Sequence, residues 1–230
     1  DAYCTPDGKT VYLTDDHYPA VFFKFECEQP NDYSKGQLYA YKQSTDGNSG
    51  EWIALPMNMK SLVNARDVAI SKGATMFIRL EWIKEYNGKL YISETGNDST
   101  DYTSFIAQGG TIPNYLEKTY KYAEGKYHDP FGRILEFDLK TNRIREFLAG
   151  GPIEKDGGHF SSPDGLFIAT IQNIPYLIIS EDLTGLSQGR VSTGAEKNGW
   201  LINEIYLFGI QINNIYYSIS LCLYYFPITD

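Results

Sequence analysis

The chain has 230 residues, enough to bury a sizeable core in one or two domains. Its 19 Tyr and 12 Phe favour strands over helices, and a formal net charge of -9 argues against nucleic acid as a partner, because phosphate binding needs clustered Lys and Arg. The three cysteines, Cys4, Cys27 and Cys222, form no C-x-x-C pair, which excludes a zinc ribbon or a redox motif.

In chain order, the sequence opens in a strand-approach segment without an initiator Met or a leader, as expected of part of a longer open reading frame. Cys4 and Cys27 read as two buried thiols, or as a bridged pair in an oxidising compartment. Strands are expected at 11–14, 20–25 and 37–41, with turns at Asp7-Gly8 and Ser34-Lys-Gly36. A polar loop at 44–51 leads into a strand at 52–55. Residues 57–73 form the best helix candidate, with Leu62, Val63, Val68 and Ala69 roughly on one face and Gly73 placed to end it. Residues 99–130 are a polar insertion rich in Tyr, Gly and Thr, a length that is either functional or disordered. Strand pattern resumes at 133–139, 143–148, 166–170 and 176–180. From Ile205 to Thr229 no residue is charged. That tail reads as a non-native extension, a buried terminal strand pair or a membrane anchor, the last opposed by Gln211, Asn213 and Asn214.

One pattern recurs. A turn, a short apolar strand and an acidic cluster appear in Thr5-Pro-Asp-Gly-Lys-Thr-Val-Tyr-Leu-Thr-Asp-Asp16, in Tyr86-Asn-Gly-Lys-Leu-Tyr-Ile-Ser-Glu-Thr-Gly-Asn-Asp98, and in Tyr176-Leu-Ile-Ile-Ser-Glu-Asp182 behind Ser162-Pro-Asp-Gly165. Each precedes a second strand: Gly36-Gln-Leu-Tyr-Ala-Tyr41, Gly132-Arg-Ile-Leu-Glu-Phe137 and Asn203-Glu-Ile-Tyr-Leu-Phe208. Repetition at roughly 70 to 95 residues argues for radially arranged antiparallel blades. The expected fold is all-β and β-propeller-like, an incomplete ring with one short helix, over 1–208, followed by the anomalous tail at 209–230. Such a ring would bring carboxylates from separate blades to one axis, where a hard cation can be held by oxygen ligands.

Arg79 and Glu81 lie two apart, so an extended backbone would send both to one face. A guanidinium beside a carboxylate suits a site that binds an anion and a cation, and equally a plain ion pair. Pro163-Asp-Gly165 and Pro6-Asp-Gly8 both read as turns, so Asp164 is not marked as a ligand by its tripeptide. The acidic strand ends, Asp15-Asp16, Glu94 with Asn97-Asp98, and Glu181-Asp182, are better candidates as a set. His17, His128 and His159 show no zinc-ligand spacing, and no G-x-S-x-G elbow, P-loop or G-x-G-x-x-G is present.

The ordered series Thr10-Val-Tyr-Leu-Thr-Asp-Asp16, Phe22-Phe-Lys-Phe25, Gly36-Gln-Leu-Tyr-Ala40, Lys72-Gly-Ala-Thr75, Arg79-Leu-Glu81-Trp82, Leu90-Tyr-Ile-Ser-Glu94, Gly132-Arg-Ile-Leu-Glu-Phe137 and Phe160-Ser-Ser-Pro-Asp-Gly-Leu166 resembles the PhoX-type alkaline phosphatases and their relatives of unassigned activity. The resemblance runs from about residue 1 to 206. It implies a propeller with calcium and iron at its centre that hydrolyses small phosphate monoesters, in an exported protein, periplasmic or extracellular. By position it makes Arg79 the phosphate contact and Glu81 and Asp164 metal ligands. Leu80 stands where the family usually has Pro, and Gly165 where it usually has Asn. The family's earlier cysteine- and glutamate-bearing metal segments have no counterpart here, and neither Cys4 nor Cys27 sits in their context. Gly132-Arg-Ile-Leu-Glu-Phe-Asp138 and Pro163-Asp-Gly165 also resemble calcium-dependent lactonases, which would hold one divalent ion and open a lactone. A non-catalytic propeller scaffold is the third expectation. Neither nucleic acid nor a membrane is expected as a partner.

Overall fold

In the computed structural model, residues 1–100, 106–119, 127–129, 131–150, 160–182, 204–210 and 218–222 are described. The strands in chain order are β1 (Ala2–Cys4), β2 (Thr10–Leu13), β3 (Ala20–Val21), β4 (Phe23–Cys27), β5 (Gly36–Gln43) and β6 (Gly50–Ala54). After helices α1 (Met59–Val63) and α2 (Ala65–Ser71) come β7 (Met76–Phe77), β8 (Leu80–Tyr86), β9 (Lys89–Glu94) and β10 (Asn97–Thr100). Helix α3 (Asn114–Thr119) precedes β11 (Tyr127–Asp129), β12 (Arg133–Asp138) and β13 (Arg143–Ala149). The last strands are β14 (Pro163–Ile171), β15 (Ile174–Glu181), β16 (Glu204–Gly209) and β17 (Ser218–Cys222).

Three antiparallel meanders carry the architecture: β1-β2-β4-β5-β6, β8-β9-β12-β13 and β14-β15-β16-β17, with β3-β7 and β10-β11 as two-stranded ribbons. None closes on itself, so the fold is all-β and propeller-like with an incomplete ring. The sheets repeat in register as well as in order. Ala2↔Leu13, Ile83↔Ile92 and Leu166↔Ile179 are matching pairs between first and second strands, and Leu13↔Phe23, Ile92↔Leu135 and Ile179↔Tyr206 continue them to the third. By this measure Gly36–Gln43 is the fourth strand of its sheet, whereas the segments aligned with it in sequence, at 133–137 and 204–208, fall on third strands. The offset arises because β4 takes the third place in the first sheet, ahead of β5.

Aromatic side chains weld the first two sheets. Tyr12, Phe22, Tyr41, Trp52 and Phe137 form one cluster, with Phe22 and Phe137 ring centroids 5.3 Å apart in an edge-to-face contact. Asn142, in the turn between β12 and β13, accepts from the Tyr41 hydroxyl at its carbonyl (2.9 Å) and from Trp52 Nε1 at its side chain (3.2 Å). A second core of Tyr91, Ile134, Phe160, Leu166, Leu177, Ile179 and Tyr206 joins the second sheet to the third. Innermost strand β14 packs on β8 and β9, and β1 packs on β8.

The helix expected over 57–73 is broken in two at Asn64. Asn58 caps the first piece, its Oδ1 accepting from Ser61 N at 3.0 Å. Part of the insertion is firmly built into the core: Leu116 is fully buried, and Asn114 N donates to the Gln43 side chain at 3.0 Å. Pro163-Asp-Gly165 opens strand β14 rather than forming a turn, unlike Pro6-Asp-Gly8, where Asp7 Oδ1 accepts from the Thr5 hydroxyl and from Lys9 N. Cys4 and Cys27 are free thiols, and neither is buried as expected: Cys4 is exposed and bonded to the Tyr33 hydroxyl at 3.2 Å, and Cys27 is half-buried. They lie on β1 and β4, separated by β2, which explains why they do not bridge. His159 and most of the 209–230 tail lie outside the described residues.

Candidate active site

The site forms where the innermost strands begin. Arg79 ends the approach from β7 in the left-handed region, at φ 59°, and β8 starts at Leu80. The alternation expected to place Arg79 and Glu81 on one face therefore does not operate, since the backbone turns at Arg79. The two side chains meet all the same, because the register of β8 against β9 shifts between Leu80 and Ile83 and re-aims Glu81. Arg79 Nη2 donates to Glu81 Oε1 at 2.9 Å, and Arg79 Nε donates to Asp16 Oδ1 at 3.0 Å. Nη1 has no hydrogen-bond partner among the described residues, and the Arg79 side chain is 30 % exposed.

Asp164 reaches the same place from the third sheet. It is the second residue of β14, as Glu81 is of β8, and the register of β14 against β15 shifts between Pro163 and Leu166. The Glu81 carboxyl is within side-chain hydrogen-bonding reach of both Asp16 and Asp164. Burial, then the Asp16 carboxylate, then the charge of Asp164 push Glu81 up to about 7, against the opposing pull of Arg79. Asp164 is also raised, first by burial and then by the charge of Asp182, while its hydrogen bond with Glu81 and the Arg79 charge act the other way. With its value near 7, Glu81 is about half protonated at neutral pH, and when protonated it is the donor toward Asp16 or Asp164.

Hydroxyl groups from the preceding sheet fix the backbone under each carboxylate. Thr14 Oγ1 donates to the Glu81 carbonyl, and Ser93 Oγ donates to the Asp164 carbonyl at 2.6 Å. Thr95 Oγ1 adds a bond to the Pro163 carbonyl at 2.9 Å.

Of the acidic strand ends, Asp16 and Asp182 contribute charge to the site, but Glu94 and Glu181 turn away into the structure. Glu94 is fully buried, accepting from Ile78 N at 2.7 Å and facing Arg133 Nη1 at 3.3 Å. Asp15 pairs with Arg66 at 3.7 Å. Asp98 and His128 lie on described strands, without a described side-chain position. Asp16 belongs to the site as firmly as Asp164, and the sequence signal that finds it is its place at the acidic end of the first repeat.

Among the described residues, no group of three or more His, Cys, Asp or Glu side chains is arranged to hold a metal ion. The guanidinium accounts for this, since Asp16 and Glu81 point at Arg79 rather than at a common centre. The chemistry of the donors nevertheless fits a hard cation: they are all carboxylate oxygens, and burial first, then the crowded negative charge, raises the proton affinity of one of them, Glu81.

A family model described as alkaline phosphatase PhoX matches residues 2–213. No curated protein and no solved structure matches the chain.

Proposed function

This chain belongs to the PhoX alkaline phosphatase family, and from that premise we propose that it forms a cation-dependent site for hydrolysing small phosphate monoesters. The observation that carries the reading is the convergence of Glu81 and Asp164, from the first strands of two sheets, with Arg79 before β8 and the exposed Asp16 after β2, into one cluster. The resemblance carried by the ordered sequence series implies calcium and iron, in an exported protein. Glu81 and Asp164, with Asp16 beside them, are the residues that would hold calcium; the described residues contribute no thiolate to the cluster that would favour iron. A bound cation would supply Lewis-acid stabilisation to the phosphoryl oxygens.

The chain's own residues then have distinct tasks. Arg79 Nη1 binds a phosphoryl oxygen while Nε and Nη2 stay on Asp16 and Glu81, which hold the guanidinium plane in place. Its charge offsets that developing on the equatorial oxygens in the transition state. Glu81 gives up its proton when a cation takes the site, which restores a full carboxylate to the donor set. A bound cation would offset the repulsion from Asp16 and Asp164 that otherwise keeps that proton on Glu81.

The test is hydrolysis of p-nitrophenyl phosphate by the chain supplied with calcium and iron, compared with Arg79→Ala. The expected result is turnover that falls by about 10²- to 10³-fold in the variant. Equal turnover would remove Arg79 from the reaction. Turnover of a lactone, with calcium alone and without phosphate ester hydrolysis, would replace the phosphatase reading with the lactonase one.

A further inference from the structure

Glu81 and Asp164 occupy the same place in two successive sheets, and the chain that delivers each is bent in the same way. In the second sheet, Ile78 N donates to the buried Glu94 carboxylate at 2.7 Å, Arg79 is left-handed at φ 59°, and Thr95 N donates to the Arg79 carbonyl at 2.9 Å. In the third sheet, Ser161 N donates to Glu181 Oε1 at 2.6 Å, Ser162 is left-handed at φ 49°, and Asp182 N donates to the Ser162 carbonyl at 3.0 Å. Leu80 then pairs with Glu94, and Pro163 with Glu181. In each case the carboxylate-bearing residue follows two positions after the left-handed one.

A left-handed Arg or Ser costs energy that the surroundings must offset. A buried carboxylate accepting a backbone N–H is a strong, charge-assisted bond, well suited to that role. In the first sheet the corresponding place after Thr14 is filled by Asp15, one methylene shorter, and it faces Arg66. The glutamate hinge therefore occurs in the two sheets whose first strand presents a site carboxylate.

We infer that Glu94 and Glu181 are positioning residues, which clamp the left-handed turns that aim Glu81 and Asp164 into the site. This rests on the reading of Glu81 and Asp164 as cation ligands. The test is made at Glu181; Glu94 also meets the buried Arg133 guanidinium and the Tyr115 hydroxyl. The experiment uses the full chain as wild type, Glu181→Gln and Glu181→Ala. It reads Ser161 amide exchange and Ser162 carbon shifts by NMR, calcium affinity by calorimetry, and the urea midpoint.

Glu181→Gln keeps an acceptor oxygen, so Ser161 protection, the left-handed shifts of Ser162 and calcium affinity should all be retained. Glu181→Ala should lose protection at Ser161, move the Ser162 shifts, and weaken calcium by about tenfold. An alanine variant that lowers only the urea midpoint, with Ser162 shifts and calcium affinity unchanged, overturns the inference. If the alanine variant does not fold, the glutamine variant decides: loss of Ser161 protection or of calcium affinity there overturns it, and retention of both upholds it. A wild type that takes up no calcium removes the ligand reading, and with it the positioning role, even where the Ser161 and Ser162 readouts confirm the hinge itself.

Discussion

Glu81 governs how the site responds to pH. Its ordinary value of 4.5 is pushed up to about 7, first by burial and then by Asp16. Between those values the folded protein without a cation binds more protons than the unfolded chain. Its contribution to stability is complete below the ordinary carboxylate range and is lost as pH rises through about 7. Thermal unfolding of the cation-free protein should therefore show a midpoint that falls between about pH 5 and 8. Glu81→Gln should flatten that dependence; an unchanged slope in this variant would assign the titration to another group. The residues proposed for this candidate site were named from the sequence, because Arg79, Glu81 and Asp164 stand in an ordered series that resembles the family. Their meeting was not legible from periodicity, since a left-handed residue and a register shift, not strand alternation, bring Arg79 onto Glu81.

At the level of elements, the hydroxyl clasps and the aromatic weld do different work. Thr14→Val and Ser93→Ala each remove one bond to a carbonyl beneath a site carboxylate. Each should cost about 1 kcal/mol by urea denaturation. Phe137→Ala empties the centre of the aromatic cluster, and there the loss should be about 3 to 5 kcal/mol. A Phe137→Ala cost below about 1 kcal/mol would show that the first two sheets are not held by that cluster. Most strands announced themselves by apolar runs between turns. Exceptions are instructive: β1 and β7 are three and two residues long, too short to show a period. Asn64 split the expected helix because it ends one helical piece and begins the next. The two Pro-Asp-Gly tripeptides diverged for a local reason as well. Thr5 holds Asp7 in a turn, whereas a left-handed Ser162 feeds Pro163 directly into a strand whose first pair is with Glu181.

Across the molecule, three sheets repeat one register and place their innermost strands side by side, so that the start of each faces a common region. Negative charge accumulates there by construction, with Asp16, Glu81, Asp164 and Asp182 delivered by separate segments and Arg79 as the cation among them. This follows from the repeat, which was readable as acidic strand ends. The division of those ends was not readable: Glu94 and Glu181 sit next to Thr95 and Asp182, yet they turn inward to backbone amides. Among the described residues no helix is long and apolar enough to cross a membrane. The most direct test of the shared site is calorimetric titration of calcium into the wild-type chain, Glu81→Gln and Asp164→Asn. One site in the wild type, weakened by at least about tenfold in each variant, is the expected result. Calcium binding that neither variant alters, or none in a folded wild type, would contradict a cation site built from these two carboxylates.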